Sequence, residues 1–346
     1  MSLGPKLLDA WRVVLEQCAI RPGSTALVLV GDNTHPDTLA AARLAIPMLG
    51  ARLLTLELGE PPALRMASES TAYYGPTALT GNRAAVEAMK RADIVIDLMG
   101  LDRGTEQREI LAAGTRILLV KEPPEILVRS IPTAEDKRRV KSAAARLGRA
   151  KTMRVTSDAG TDFRAALGEY PCLVQYGLAD EPGRWDHWPS AFVATWPNEH
   201  SASGTVVLAP GDTILPFKQY VQDPVRLRVE AGYIREIEGG FSATYVREYM
   251  ASFGDFEGYA VSHLGCGLQP RAHWTTLGMY DKRQTNAMDA RSFAGNFMFS
   301  TGPNGEAGGN RHTACHLDIP MRECSVYLDD EPIVLRGKLV GVEANA

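Results

Sequence analysis

The chain has 346 residues, 45% of them hydrophobic and 23% charged, an ordinary balance for a soluble globular protein with room for two compact domains. A net charge of −4 gives no basic footprint, so nucleic acid is excluded as a partner. The opening "MSLGPKLLDAWRVVLEQCAI" lacks the apolar run of a signal peptide and no later stretch reaches bilayer-spanning length, so no membrane partner is expected.

The elements of the first half alternate. "LLDAWRVVLEQC" repeats apolar residues at helical spacing, and "TALVLVGD" is a short apolar run closed by turn residues. A helical "PDTLAAARLAIPMLG" and a strand-like "ARLLTLEL" follow, then "NRAAVEAMKRA", "DIVIDLMG", "TEQREILAAG" and "TRILLVKEP". Helices alternating with short, almost wholly apolar strands predict a mainly parallel sheet covered on both faces. The glycines form neither G-x-G-x-x-G nor a P-loop, so no nucleotide cofactor is expected. "PTAEDKRRVKSAAARLGRAK" reads as a charged helix closing this α/β domain, residues 1–151, its basic run a solvated face.

From Met153 the texture changes to short β-prone runs broken by Gly, Pro and Asp, with one helix in "SATYVREYMASFGD". Residues 152–346 are therefore expected to form a strand-rich α+β domain. Cys18, Cys172, Cys266, Cys315 and Cys324 are scattered and contain no C-x-x-C pair, which fits a reducing, cytoplasmic setting better than a disulfide framework.

Chemistry concentrates in "NRHTACHLDIPM". On an extended segment alternate side chains share a face, so His316 and Asp318 point the same way and suit a divalent first-row metal. A lone H-x-D is more often a buried histidine with its acid partner, and both readings stand on spacing alone. The Gly- and Asn-rich approach, "GPNGEAGGN", suits a loop delivering backbone close to a site. His312 would share a face with His316 only on a helix, which Gly308, Gly309 and Thr313 argue against. Cys315 should point to the opposite face, and the tight set of four ligands of a structural zinc site is missing. His263, in "GYAVSHLGCGLQP", reads as the end of a strand beside a Gly-rich turn.

"CHLDIPMRECSVYLDD" and "VSHLGCGLQP", with "WDHWPS", "WPNEHSASGTVVL" and "FAGNFMFSTGPNGE", resemble the 2,5-dihydroxypyridine 5,6-dioxygenases of bacterial nicotinate and nicotine breakdown. These are distant relatives of the aminopeptidase T metallopeptidases, which carry a similar H-x-D but hold two metals with glutamates. The resemblance puts His263 where such a glutamate stands, and so makes His263, His316 and Asp318 the metal ligands in the strand-rich domain. Two metals about 3.5–4 Å apart suit hydrolysis, whereas two histidines and one carboxylate on a single ion mark non-haem Fe(II) oxygenases.

The resemblance implies an extradiol-like, Fe(II)-dependent dioxygenase that opens 2,5-dihydroxypyridine between C5 and C6 with O2 to give N-formylmaleamate. It also implies a homo-oligomer, by family habit a hexamer. His187 is the expected acid or base, in a pocket walled by Trp185 and Trp188. Arg291 and Ser300 are the expected substrate contacts, Arg291 for an oxyanion and Ser300 for a ring heteroatom. Glu199 and His200 are expected to orient a ligand. Leu101 and Arg103, after an apolar strand of the first domain, should reach the cleft. The alternatives are an aminopeptidase-like Zn or Co hydrolase, a dioxygenase for another hydroxylated ring, and a non-enzymatic binding protein.

Overall fold

The structure, a computed structural model, describes residues 4–59, 76–101 and 104–341. In the first half β1 (Thr25–Val30), β2 (Arg52–Glu57), β3 (Ile94–Asp97) and β4 (Arg116–Leu119) lie parallel in the order β2–β1–β3–β4. Alternation along these strands feeds two separate cores. Ala26, Val28 and Val30 face one side with α1 (Pro5–Gln17) and α2 (Pro36–Met48); Leu27 and Leu29 face the other with α3 (Arg83–Lys90) and α4 (Thr105–Ala112). Both faces are therefore covered, as near-continuous apolar strands require. A short α5 (Pro124–Arg129), absent from the sequence reading, precedes α6 (Ala134–Leu147). Helix α6 opens on a capping box between Thr133 and Asp136. Its basic residues are not all solvated: Arg139 is buried against Asp136 and Glu135.

The second half is strand-rich. It runs through β5 (Thr152–Ser157), β6 (Asp162–Ala166), β7 (Leu173–Gln175), β8 (Trp185–His187), β9 (Phe192–Thr195) and β10 (Ser203–Leu208). Then come β11 (Thr213–Ile214), β12 (Gln219–Tyr220), β13 (Val225–Glu230), β14 (Tyr233–Gly239), α7 (Phe241–Ser252) and β15 (Val261–Gly267). The chain ends with α8 (Met288–Ser292), β16 (Phe297–Thr301), β17 (Leu317–Met321), β18 (Cys324–Leu328), β19 (Glu331–Leu335) and β20 (Lys338–Leu339). Eight strands form one antiparallel sheet, β14–β13–β10–β6–β5–β18–β19–β20, and five form another, β17–β16–β15–β9–β7. The two share a core, with Phe163 and Phe299 edge to face at 5.7 Å.

Strand β8 leaves its neighbours and pairs with β4 as the fifth strand of the parallel sheet. The parallel sheet thus ends at His187, next to the five-stranded antiparallel sheet that carries the H-x-D motif. No helix among the described residues is long and apolar enough to cross a membrane.

Candidate metal centre

Strand β16 lies between β15 and β17, with Leu264 opposite Phe299 and Ser300 opposite Asp318. The pairing of β15 with β16 slips between Val261 and Leu264, so His263 sits on an irregularity that re-aims its side chain. His263 is therefore inside a strand, not at its end. The glycines after it serve close packing instead of a turn: a Cβ on Gly265 would overlap the Val193 carbonyl oxygen of β9, and one on Gly267 that of Phe293. His316, just ahead of β17, and Asp318 share a face, as alternation predicts. Leu215 exchanges two backbone hydrogen bonds with Asp318 and so pins the carboxylate's backbone from the other side.

The three side chains converge. Asp318 Oδ1 lies 3.0 Å from His263 Nε2 and 3.2 Å from His316 Nε2, and all three residues are buried. His316 Nδ1–H donates to the Thr301 carbonyl at 2.6 Å, which leaves the Nε2 lone pair facing Asp318. The His263 ring is walled by Trp196 and Phe192, both edge to face. Burial would raise the Asp318 carboxyl, but Arg291, then His316 and His263, outweigh it and hold the group well below the usual carboxylate range. An ionised oxygen and imidazole nitrogens around one buried point form a donor set suited to a divalent cation. Among the described residues this is a single such group, and no second cluster of carboxylates adjoins it.

A cavity opens beside His263. It is lined by His187, Trp185, Gln175, Asn286, Met288 and Arg291, among others, and is narrow, about 30 Å³. His187 is held there because the buried Asp186 accepts the backbone N–H groups of Tyr176, Gly177 and His187 and pairs with Arg184 at 2.6 Å. Trp185 walls the cavity; Trp188 instead packs in the core edge to face with Trp11 at 5.1 Å.

The remaining expected residues are distributed as follows. Arg291 lines the cavity, and the anion it holds is Asp318 Oδ2. Ser300 is fully buried, and its hydroxyl donates to the His263 carbonyl at 2.7 Å, bracing β15 from β16. Glu199 is partly exposed and accepts from Tyr170, Asn304 and Arg311; Arg311 in turn donates to the Val261 and Gly302 carbonyls, so Glu199 touches the strand ends and not the ligands. His200 is exposed, stacks on Tyr233 and has a φ of 62°. Leu101 packs in the same cluster as Trp185, its N–H on Asp97; Arg103 lies outside the described residues. His312 faces another cavity, with Thr313 and Glu306. The sequence reading missed Gln175, Asn286 and Met288 in the cavity lining, and Glu122, three residues past β4, which accepts the backbone N–H groups of Asn286 and Met288. The rule that drew attention to Leu101, a strand's carboxyl end facing a cleft, applies equally to Glu122.

A family model described as 2,5-dihydroxypyridine 5,6-dioxygenase matches residues 6–341. The chain is 51% identical over 341 residues to a 2,5-dihydroxypyridine 5,6-dioxygenase of Pseudomonas putida KT2440, covering 98% of this chain and 97% of that protein. The solved 2,5-dihydroxypyridine dioxygenase structure from P. putida KT2440 superposes with a TM-score of 0.93 at 50% identity, over 98% of each chain. Wild-type AmpT from Thermus thermophilus shares the fold alone, with a TM-score of 0.64 at 13% identity over 98% of this chain and 100% of its own. The protein belongs to the 2,5-dihydroxypyridine 5,6-dioxygenase family and is a ring-cleaving dioxygenase.

Proposed function

We propose that the chain opens 2,5-dihydroxypyridine between C5 and C6 with O2, giving N-formylmaleamate, at one Fe(II) held by His263, His316 and Asp318. The observation that carries this reading is the buried convergence of two imidazole Nε2 atoms on one carboxylate oxygen. Fe(II) held there by His263, His316 and Asp318 would supply the redox chemistry that lets an electron-rich ring react with O2. Both oxygen atoms then end in the product, and no organic cofactor is required.

The chain's own residues do the rest. Arg291 keeps Asp318 ionised and leaves only Oδ1 facing the histidines. His187 lines the same cavity as His263 and is the group to take a proton from the substrate hydroxyl and return it to the product. Gln175 and Asn286 offer amide groups in the same lining, while Trp185 and Phe192 supply apolar surface for the ring. The cavity is narrow, so a ring entering it needs walls that can adapt. Met288 and Met298, unbranched and adaptable, are the side chains suited to give way. The five cysteines are all free, which suits a reducing cytoplasm.

The test is isotopic. Fe(II)-loaded protein given 2,5-dihydroxypyridine under labelled O2 should yield N-formylmaleamate carrying both labels. A product with one label, or with none, would contradict the dioxygenation proposed for this ring.

A further inference from the structure

Glu122 does not line the cavity, yet it is tied to the site from a distance. It is 1% exposed, just past β4 in the first half of the chain, and spends both carboxylate oxygens on one turn of the second half. Oε2 accepts the Thr285 hydroxyl. Oε1 accepts the backbone N–H of Asn286 at 3.0 Å and of Met288 at 2.9 Å. Between those two donors Ala287 sits at φ 60°, a left-handed conformation that disfavours a residue with a Cβ. The turn therefore relies on an external acceptor for its shape.

What this turn carries makes its shape matter. Asn286 and Met288 line the cavity. The Asn286 carbonyl accepts Arg291 Nε–H at 3.1 Å, and the Arg291 backbone N–H donates to Ala287 at 2.9 Å. Arg291 Nη1 then donates to Asp318 Oδ2. An unbroken run of hydrogen bonds thus joins Glu122 to the carboxylate of the metal centre.

We propose that Glu122 is a positioning residue: through the 285–288 turn it sets the guanidinium of Arg291, and through Arg291 the orientation of Asp318. This rests on the reading above, that His263, His316 and Asp318 hold a divalent ion. Other contacts also tie this segment to the first half: the Asn286 N–H is shared with the Lys121 carbonyl at 3.0 Å, and Arg271 pairs with Asp136. The Arg271 pair lies away from the turn and serves as the control for a role in stability alone.

The experiment is calorimetric titration of metal-free protein with Co(II), which needs no substrate. Glu122→Ala should weaken Co(II) binding roughly tenfold, the scale of losing a group that orients a ligand. Glu122→Gln keeps an oxygen for the two backbone donors and should bind within about twofold of the parent. Arg271→Ala should lower the melting temperature and leave Co(II) affinity unchanged. Should Glu122→Ala fail to fold, Thr285→Val removes one of the three donors and should still weaken binding severalfold. Unchanged affinity in Glu122→Ala or Thr285→Val, or a Gln variant as weak as the Ala variant, would overturn the proposal. If the parent protein binds no Co(II), it is the metal reading itself that falls, a result distinct from tight parent binding that Glu122 does not influence.

Discussion

Arg291 and Asp318 form a buried ion pair in which Nη1 donates to Oδ2, so that Oδ1 is the carboxylate oxygen turned to both imidazoles. Removing one member leaves the other charged and out of water, at a cost of about 3–5 kcal/mol. Asp318→Asn in metal-free protein should therefore lower unfolding stability by that amount in urea titrations. The carboxyl's folded pKa is depressed, so its stabilisation is present above the unfolded value of 3.8 and is lost as the solution falls through the lower folded value. The gap between parent and variant should hold at neutral pH and close only in acid below about pH 4.

Arg291→Lys keeps a positive charge but loses the planar donor set that reaches both Asn286 and Asp318. Metal affinity should fall about 10–100-fold. Metal retained after dialysis against graded chelator measures this directly, and retention equal to the parent's would contradict the role given to Arg291.

His187 lies in the cavity wall and outside the three converging ligands. His187→Asn should leave metal content intact while kcat falls by about 10²–10⁴, the usual worth of a positioned proton-transfer group. The pH–rate profile should lose one limb in the variant. A variant with the parent's kcat and profile would reduce His187 to a packing residue.

Burial pushes the Glu122 carboxyl up to about 7, against the opposing effect of its hydrogen bonds from Thr285 and Met288. A raised folded pKa means that this group's stabilisation is full below its ordinary value of 4.5 and is lost as pH climbs through about 7. Glu122→Gln has no such loss. Between about pH 5 and pH 8 the variant should gain on the parent, by on the order of 2 kcal/mol. Thermal melts across that range check the sign; a gap that does not change with pH would contradict it.

The candidate metal centre is half legible in the sequence. Alternation placed His316 and Asp318 on one face, because a strand's period is fixed by its backbone. His263 came from resemblance alone, since a lone histidine in an apolar run has no local signature, and its glycines were misread as a turn although they admit β9 at close range. In the first half the parallel sheet was readable from apolar strands alternating with helices. Strand β8 was not, because three residues are too few to show a period and its partner β4 lies nearly seventy residues earlier. Arg291 was expected to meet an oxyanion of the substrate, and the partner it holds is Asp318, a contact across 27 residues that no local pattern encodes.

Oxygen consumption tests the central claim most directly. Metal-free protein is reconstituted anaerobically with Fe(II), or with Zn(II) as control, and given 2,5-dihydroxypyridine while O2 and ring absorbance are followed together. The account predicts one O2 consumed per ring lost with iron and none with zinc. Ring loss without O2 uptake, or equal activity in the zinc form, would contradict it.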